Sequence, residues 1–240
     1  IVLNWNGWQD TIECLESLSQ ITYSNYRVIV VDNGSTDDSV KKIQQWANGE
    51  IPVESKYLIY NPDNKPFHIN LIRLEKNIGY AKGNNIGIRH ALLDPEVKYI
   101  LILNNDTLVE PDFLDKLVEA FNIDDHISLT GPKIIDYKTG KQWRGPLSKR
   151  LNLLSMIVMF TPLKIILSFP LFNISLLKGN KPRKVYAVSG SCMLFDKNIL
   201  VEIGMFDEHT YLGWEEYIIA EILRMKGRAT YAVPASIVKH

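Results

Sequence analysis

What this 240-residue sequence lacks narrows its function before any motif is considered. It has only two cysteines, Cys14 and Cys192, far apart and without the CxxC spacing of a metal site. That excludes a disulfide framework and points to reduced core residues of a cytosolic protein, with a disulfide as the alternative. It also lacks net charge, with 27 Lys and Arg against 27 Asp and Glu, so no overall field steers it to nucleic acid or acidic lipid. Any anionic ligand must be held locally. No GxGxxG opens a helix and no GxxxxGK[ST] is present, so the phosphate cradles of the dinucleotide and P-loop folds are missing. Finally, no apolar run is long and unbroken enough for a membrane span of about 20 residues. The nearest, Leu151 to Leu177, carries a single formal charge, Lys164, but Pro162, Lys164 and Pro170 interrupt it.

The chain is 46% hydrophobic and 22% charged, which suits one sizeable core and predicts a single domain over 1–240 with an apolar insert at about 147–184. It opens on Ile1-Val2-Leu3 and closes on Val238-Lys239-His240, and both ends are expected to be cut from a longer protein. The insert fits either two short interfacial or lid helices, or an apolar flap on the core. In the first case the basic run Lys178, Lys181, Arg183, Lys184 would face anionic headgroups.

Short β-branched runs alternate with segments of helical period. Arg27 to Val31, Ile69 to Leu74 and Tyr99 to Leu103 predict strands; Thr11 to Leu18, Ser39 to Trp46 and Ala81 to Leu93 predict helices. The pattern implies an α/β fold with a mostly parallel central sheet flanked by helices. In such sheets ligands bind beyond the carboxyl ends of the strands. At those ends stand Asn4-Trp5-Asn6-Gly7, Asp32 to Asp37, Glu75 to Gly79 and Asn104-Asn105-Asp106. Each set alone is ordinary turn chemistry. Together they mark one edge.

Asp106, where a strand gives out before Pro111, can hold a hard divalent cation, Mg²⁺ or Mn²⁺. Such an ion is bound by one or two carboxylates plus substrate phosphates, so no dense acidic cage is required. The alternative is that Asp106 and Thr107 only cap the turn ahead of the next helix. Asp32 could accept a hydrogen bond from the N3–H of a uracil or thymine ring, a charge-assisted bond. The following turn enters a helix with Ser35 or Thr36 expected as cap, and Asp37 and Asp38 need only the helix dipole to explain them.

VVDNGSTD, NIGYAKGNNIG, LILNNDTLVEPDF, SGSCMLF, GMFDE and WEE, in this order and spacing, resemble the family 2 glycosyltransferases of GT-A fold. The LNNDT form with the apolar insert is most similar to rhamnosyltransferase-type members. The resemblance implies that Asp32 and the turn containing Asn4 and Asn6 border the nucleotide base. It further implies that Asn77, Gly79, Lys82, Asn84, Asn105, Gly190 and Trp214 line nucleotide and sugar, and that Asp106 holds the metal on the diphosphate. His240 would reach the same metal, with a disordered terminal histidine as the alternative. Glu216 stands where the family carries its general base, usually Asp; Glu215 precedes it, and Asp207 is the next candidate. An Asp usual shortly after the pair is absent.

The expected activity is metal-dependent, inverting transfer of a sugar from a UDP- or dTDP-linked donor. The acceptor would be a hydroxyl of a glycan or lipid-linked glycan, in cell-surface polysaccharide synthesis at the cytoplasmic face of the membrane. A GT-A module that only binds nucleotide or glycan is the second reading. A sugar-phosphate nucleotidyltransferase is a third, without the Gly-rich, Arg/Lys-bearing loop it would need after the first strand.

Overall fold

Residues 1–49, 69–142, 145–148, 150, 177 and 179–240 are described by the computed structural model. The apolar stretch from Leu151, up to but not including Leu177, lies outside the described residues, and with it most of the segment expected to meet lipid. Among the described residues no helix is long and apolar enough to cross a membrane.

Strands β1 (Val2–Asn4), β2 (Val28–Asp32), β3 (Ile69–Arg73) and β4 (Tyr99–Asn104) form a parallel block in the order β3-β2-β1-β4. Helices α1 (Trp8–Leu18), α2 (Ser39–Ala47) and α3 (Tyr80–Ala91) alternate with them. The five buried residues of β2 explain its unbroken apolar run, since a parallel strand is covered on both faces. On α3, Gly83 and Gly87 stand one turn apart against β1 and β2. A Cβ there would come within 2.6 Å of Leu3 and of Ile1, so the pair lets the helix lie close on the sheet.

The second half breaks the parallel rule. β8 (Cys192–Asp196) runs antiparallel between β4 and β6 (Ile127–Ile135), and β9 (Ala229–Lys239) pairs parallel with β6. β5 (Leu108–Val109) and β7 (Arg183–Val185) are antiparallel to β9. Because β8 runs backwards, its beginning lies level with the end of β4, Cys192 opposite Leu103. Period-2 alternation then sorts its side chains. Cys192 and Leu194 join the core under α1 and α4 (Phe113–Glu119), while Met193 and Phe195 join the core under α3, α5 (Lys197–Glu202) and α6 (Glu215–Met225). Both cysteines are buried and free, and burial pushes the Cys14 thiol up to about 12. They are packing residues.

Within β9 the register jumps between Val233 and Ile237, so Pro234, Ala235 and Ser236 form a bulge. Pro234, which cannot donate to a ladder, falls where no ladder bond is needed. Ser236 turns inward and donates to the Phe113 carbonyl at 2.9 Å. The strand resumes beside β5, with Leu108 opposite Lys239, and so returns the chain to the region just after β4.

Candidate active site

The carboxyl ends of β1, β2 and β4 form one edge, and its first wall is a net of side-chain amides. Asn4, fully buried, donates through Nδ2 to Asp32 Oδ2 at 2.7 Å and accepts from Thr11 Oγ1 at 2.8 Å. Asp32 is also fully buried; its oxygens take the Ser35 N–H at 3.0 Å and the Ser35 hydroxyl at 2.6 Å. Asn6 stands exposed above this layer in a left-handed conformation, φ 51°. It takes the Thr36 N–H at 2.8 Å and donates its own N–H to Ser35 Oγ at 2.9 Å. Two expectations change here. Ser35 and Thr36 do not cap α2, which begins at Ser39 with the Asp37 carboxylate on its first N–H; they zip the β2 turn to the β1 turn. Asp32, expected against a base, is turned inward. Its first duty is to fix the turn that Asn6 presents.

Asn33, absent from the sequence candidates, continues the net. Its Nδ2 donates to Asn77 Oδ1 at 3.0 Å and Gly79 O at 3.2 Å, and its Oδ1 accepts from the Ile78 N–H at 3.1 Å. Gly79 follows at φ 91°, and a Cβ there would press Tyr211 at 2.9 Å, so glycine is required twice over. Lys82 lies exposed in the first turn of α3, whereas Asn84 is buried and donates to the Tyr80 carbonyl at 3.0 Å.

At the end of β4 the three polar residues diverge. Asn104 Oδ1 accepts from the Tyr80 hydroxyl at 3.2 Å. Asn105 is spent on the protein, donating to Thr11 Oγ1 at 3.1 Å and Gly7 O at 3.4 Å. Thr107 alone closes the turn, bonding back to the Asn104 carbonyl at 2.7 Å. Asp106 is left pointing outward, its side chain 51% exposed, with Oδ2 3.1 Å from His240 Nε2. The bulged β9 thus delivers His240, its side chain only 11% exposed, across 134 positions of sequence to the one carboxylate of the motif. Beside them is a cavity of about 190 Å³ that also touches Asp10, Glu13 and Tyr137. Burial, and then the Asp106 charge, raise the Asp10 carboxyl above its ordinary value. Among the described residues no three His, Cys, Asp or Glu side chains converge as a ready cation cage. One outward carboxylate with a neighbouring imidazole nevertheless suits a hard cation that draws its remaining ligands from phosphate and water.

The second wall comes from β8 and α6. Tyr80, half-buried, aims its hydroxyl at Asn104 Oδ1 and at the Gly190 carbonyl, each at 3.2 Å. Burial, with the charges of Glu215 and Glu216, lifts its phenol far above the usual range. Glu216 lies against Gly190, where a Cβ would stand 3.5 Å from its Oε2. Trp214 enters α6 at φ 77°, strained for so bulky a residue, with its ring 5.4 Å from that of Tyr217. Glu215 heads the buried face of the helix. Asp207 does not resemble a base. It closes its own turn on the His209 N–H at 3.0 Å and imidazole at 2.8 Å, and those bonds hold its carboxyl below the usual range.

The glycosyl transferase family 2 profile matches residues 1–204. The chain belongs to glycosyl transferase family 2. An uncharacterized glycosyltransferase of Haemophilus influenzae is 27% identical over 61% of this chain and 43% of its own. The low-salt glycan biosynthesis hexosyltransferase Agl10 of Haloferax volcanii is 21% identical over 90% of this chain and 58% of its own. This chain therefore spans about two-fifths to three-fifths of those relatives. Among solved structures, GalNAc-T7 crystallised with UDP, GalNAc and Mn²⁺ superposes with a TM-score of 0.70 at 18% identity, covering all of this chain and 42% of that one. The glycosyl transferase family 2 chain accordingly has the GT-A fold.

Proposed function

We propose that this domain moves one sugar from a UDP- or dTDP-linked donor to a hydroxyl of a glycan or lipid-linked glycan, with inversion. The observation that carries the reading is the convergence on one sheet edge of the Asp106–His240 pair and the Glu216–Gly190 contact, in a family 2 chain. The turn capped by Asn6, with Trp5 55% exposed beside it, borders the base. Asp32 supports that turn from beneath. Asp106 and His240 would hold the divalent cation, which when bound supplies Lewis-acid stabilisation of charge on the leaving diphosphate. Glu216 takes the acceptor proton as the hydroxyl attacks the anomeric carbon. Gly190, having no side chain, leaves room beside that carboxylate, and the Trp214 ring would limit its access to water.

The test is a thermal-shift and calorimetric panel of nucleoside diphosphates with and without Mn²⁺, since a ligand of the native state raises its stability. UDP or dTDP should bind more tightly with Mn²⁺, and Asp106→Ala should abolish that enhancement with the melting temperature kept. Unchanged metal dependence in the variant would remove Asp106 from the site. A second reading, a binding module without turnover, draws on Asn105 being spent on Thr11 and Gly7. Absence of both donor hydrolysis and transfer, with binding retained, would favour it. We further place the domain at the cytoplasmic face of the membrane through the Leu151 to Leu177 stretch and its low charge. Failure to sediment with anionic vesicles would overturn that placement.

A further inference from the structure

The segment that leads to the proposed base is turned unusually at both ends. It begins after Gly204 and Met205, at φ 84° and 66°, and enters α6 through Gly213 and Trp214, at φ 91° and 77°. Each end is an adjacent pair of left-handed residues of which one carries a bulky side chain, and such a backbone persists only where its surroundings fix it. Here α3 supplies the fixing.

Asn85 makes the deepest attachment. It is 1% exposed and lies on the stripe Ala81, Asn85, Ile88 that α3 buries, where an apolar residue would continue the stripe and favour the helix more. Its amide takes hold of both main-chain polar groups of Phe206. Oδ1 accepts the Phe206 N–H at 3.1 Å, and Nδ2 donates to the Phe206 carbonyl at 2.9 Å. Phe206 is 2% exposed and belongs to no strand, so Asn85 gives its backbone the partners that a neighbouring strand gives elsewhere. The same Nδ2 reaches Glu208 Oε1 at 3.0 Å, where Arg89 also donates. Farther along, the Tyr80 N–H at the start of α3 donates to the Tyr211 carbonyl at 2.8 Å. The segment is thus laid along α3 from Arg89 back to Tyr80.

Phe206 reaches Glu216 by packing as well as by chain. Its ring meets that of Tyr80 edge-on with centroids 6.3 Å apart, and the Tyr80 hydroxyl donates to the carbonyl of Gly190, which lies against Glu216. Both routes end at one carboxylate.

We infer that Asn85 is a positioning residue for the base: by holding Phe206 on α3 it sets where α6 begins and so where Glu216 meets the acceptor hydroxyl. The inference rests on the assignment of Glu216 above, and a double-mutant cycle separates the two.

Hydrolysis of UDP-glucose, UDP-galactose, UDP-N-acetylglucosamine and dTDP-rhamnose with Mn²⁺ would be screened first. For the fastest, kcat would be compared in the parent, Asn85→Ala, Glu216→Gln and the double variant, with UDP affinity from calorimetry. Misplacing a catalytic group by about 1 Å can cost on the order of 10²-fold, so Asn85→Ala should lower kcat by about 10–10²-fold with UDP affinity within about twofold. In the Glu216→Gln background the same change should cost less than about twofold, since no base is left to misplace. The inference is overturned if Asn85→Ala costs as much there as in the parent, or if UDP affinity falls along with kcat. Amide exchange on the unaltered protein, followed by NMR, decides the matter even if Asn85→Ala fails to fold. The Phe206 N–H should exchange as slowly as the amides of β8; exchange as fast as that of exposed Leu212 would overturn the inference. No turnover by the parent, or full turnover by Glu216→Gln, would instead overturn the reading of Glu216 on which this one rests.

Discussion

The two walls of the crevice are built on opposite plans. On the first, Asn4, Asn6, Asp32, Asn33, Ser35 and Asn77 spend their polar atoms on one another and on the turns they join. On the second, Gly213 and Trp214 hold consecutive left-handed conformations, Tyr211 and Leu212 are 63% and 76% exposed, and a glutamate oxygen has no donor among the described residues. In the proposed function the first wall meets the nucleotide in every cycle and gains from being rigid before binding. The second would admit a sugar and then an acceptor, and keeps strain and exposed side chains on that side. Strain and unmet hydrogen bonds belong where the chemistry changes.

The comparison is most exposed to failure at Glu216. Glu216→Gln should lower sugar transfer by about 10²–10⁴-fold with nucleotide affinity unchanged, because as the proposed base it would meet only the acceptor side. Equal loss of nucleotide binding would mean that the walls do not divide the work. Asp32→Ala tests the rigid wall. It leaves Asn4 and Ser35 without their shared acceptor and should cost about 2–3 kcal/mol in urea unfolding, weakening UDP only through the loosened Asn6 turn. Kept stability, with loss confined to nucleotides over free pyrophosphate, would restore Asp32 as the direct reader of the base. The smallest effect should come from Trp214→Gly. Relief of the left-handed backbone offsets the lost ring contact, so stability should move by no more than about 1 kcal/mol while the acceptor KM rises. A large destabilisation would show that folding depends on the second wall as heavily as on the first.

Legibility in the sequence divides along the same line. Ile29 to Val31, Ile69 to Arg73 and Ile100 to Leu103 announce their strands by β-branched and apolar runs, and the turns that follow them form the edge. The Asp106–His240 contact is reachable only through resemblance, because no local pattern brings residues 134 apart together. Antiparallel β8 is not legible either: its apolar residues identify a strand but say nothing of its direction. Tyr80 and Asn33 escape notice for a simpler reason. Each sits beside a more suggestive neighbour, Gly79 and Asp32, and its importance lies in a partner distant in sequence. The helix start at Ser39 is obscured because Ser35 and Thr36 carry cap chemistry that the β1 turn consumes instead.

The mixed direction of the sheet has an evolutionary corollary. β6 ends at Ile135 and β7 begins at Arg183, and both points lie on the edge where β1, β2 and β4 also end. The stretch joining them leaves from and returns to that edge, and among the described residues Gln142 pairs with Ile135 and Leu147 with Ala187. Descendants of one donor-binding frame could acquire new acceptors by rewriting this connection alone, and chimeras made at Ile135 and Arg183 should trade acceptor preference between relatives while each keeps its own nucleotide.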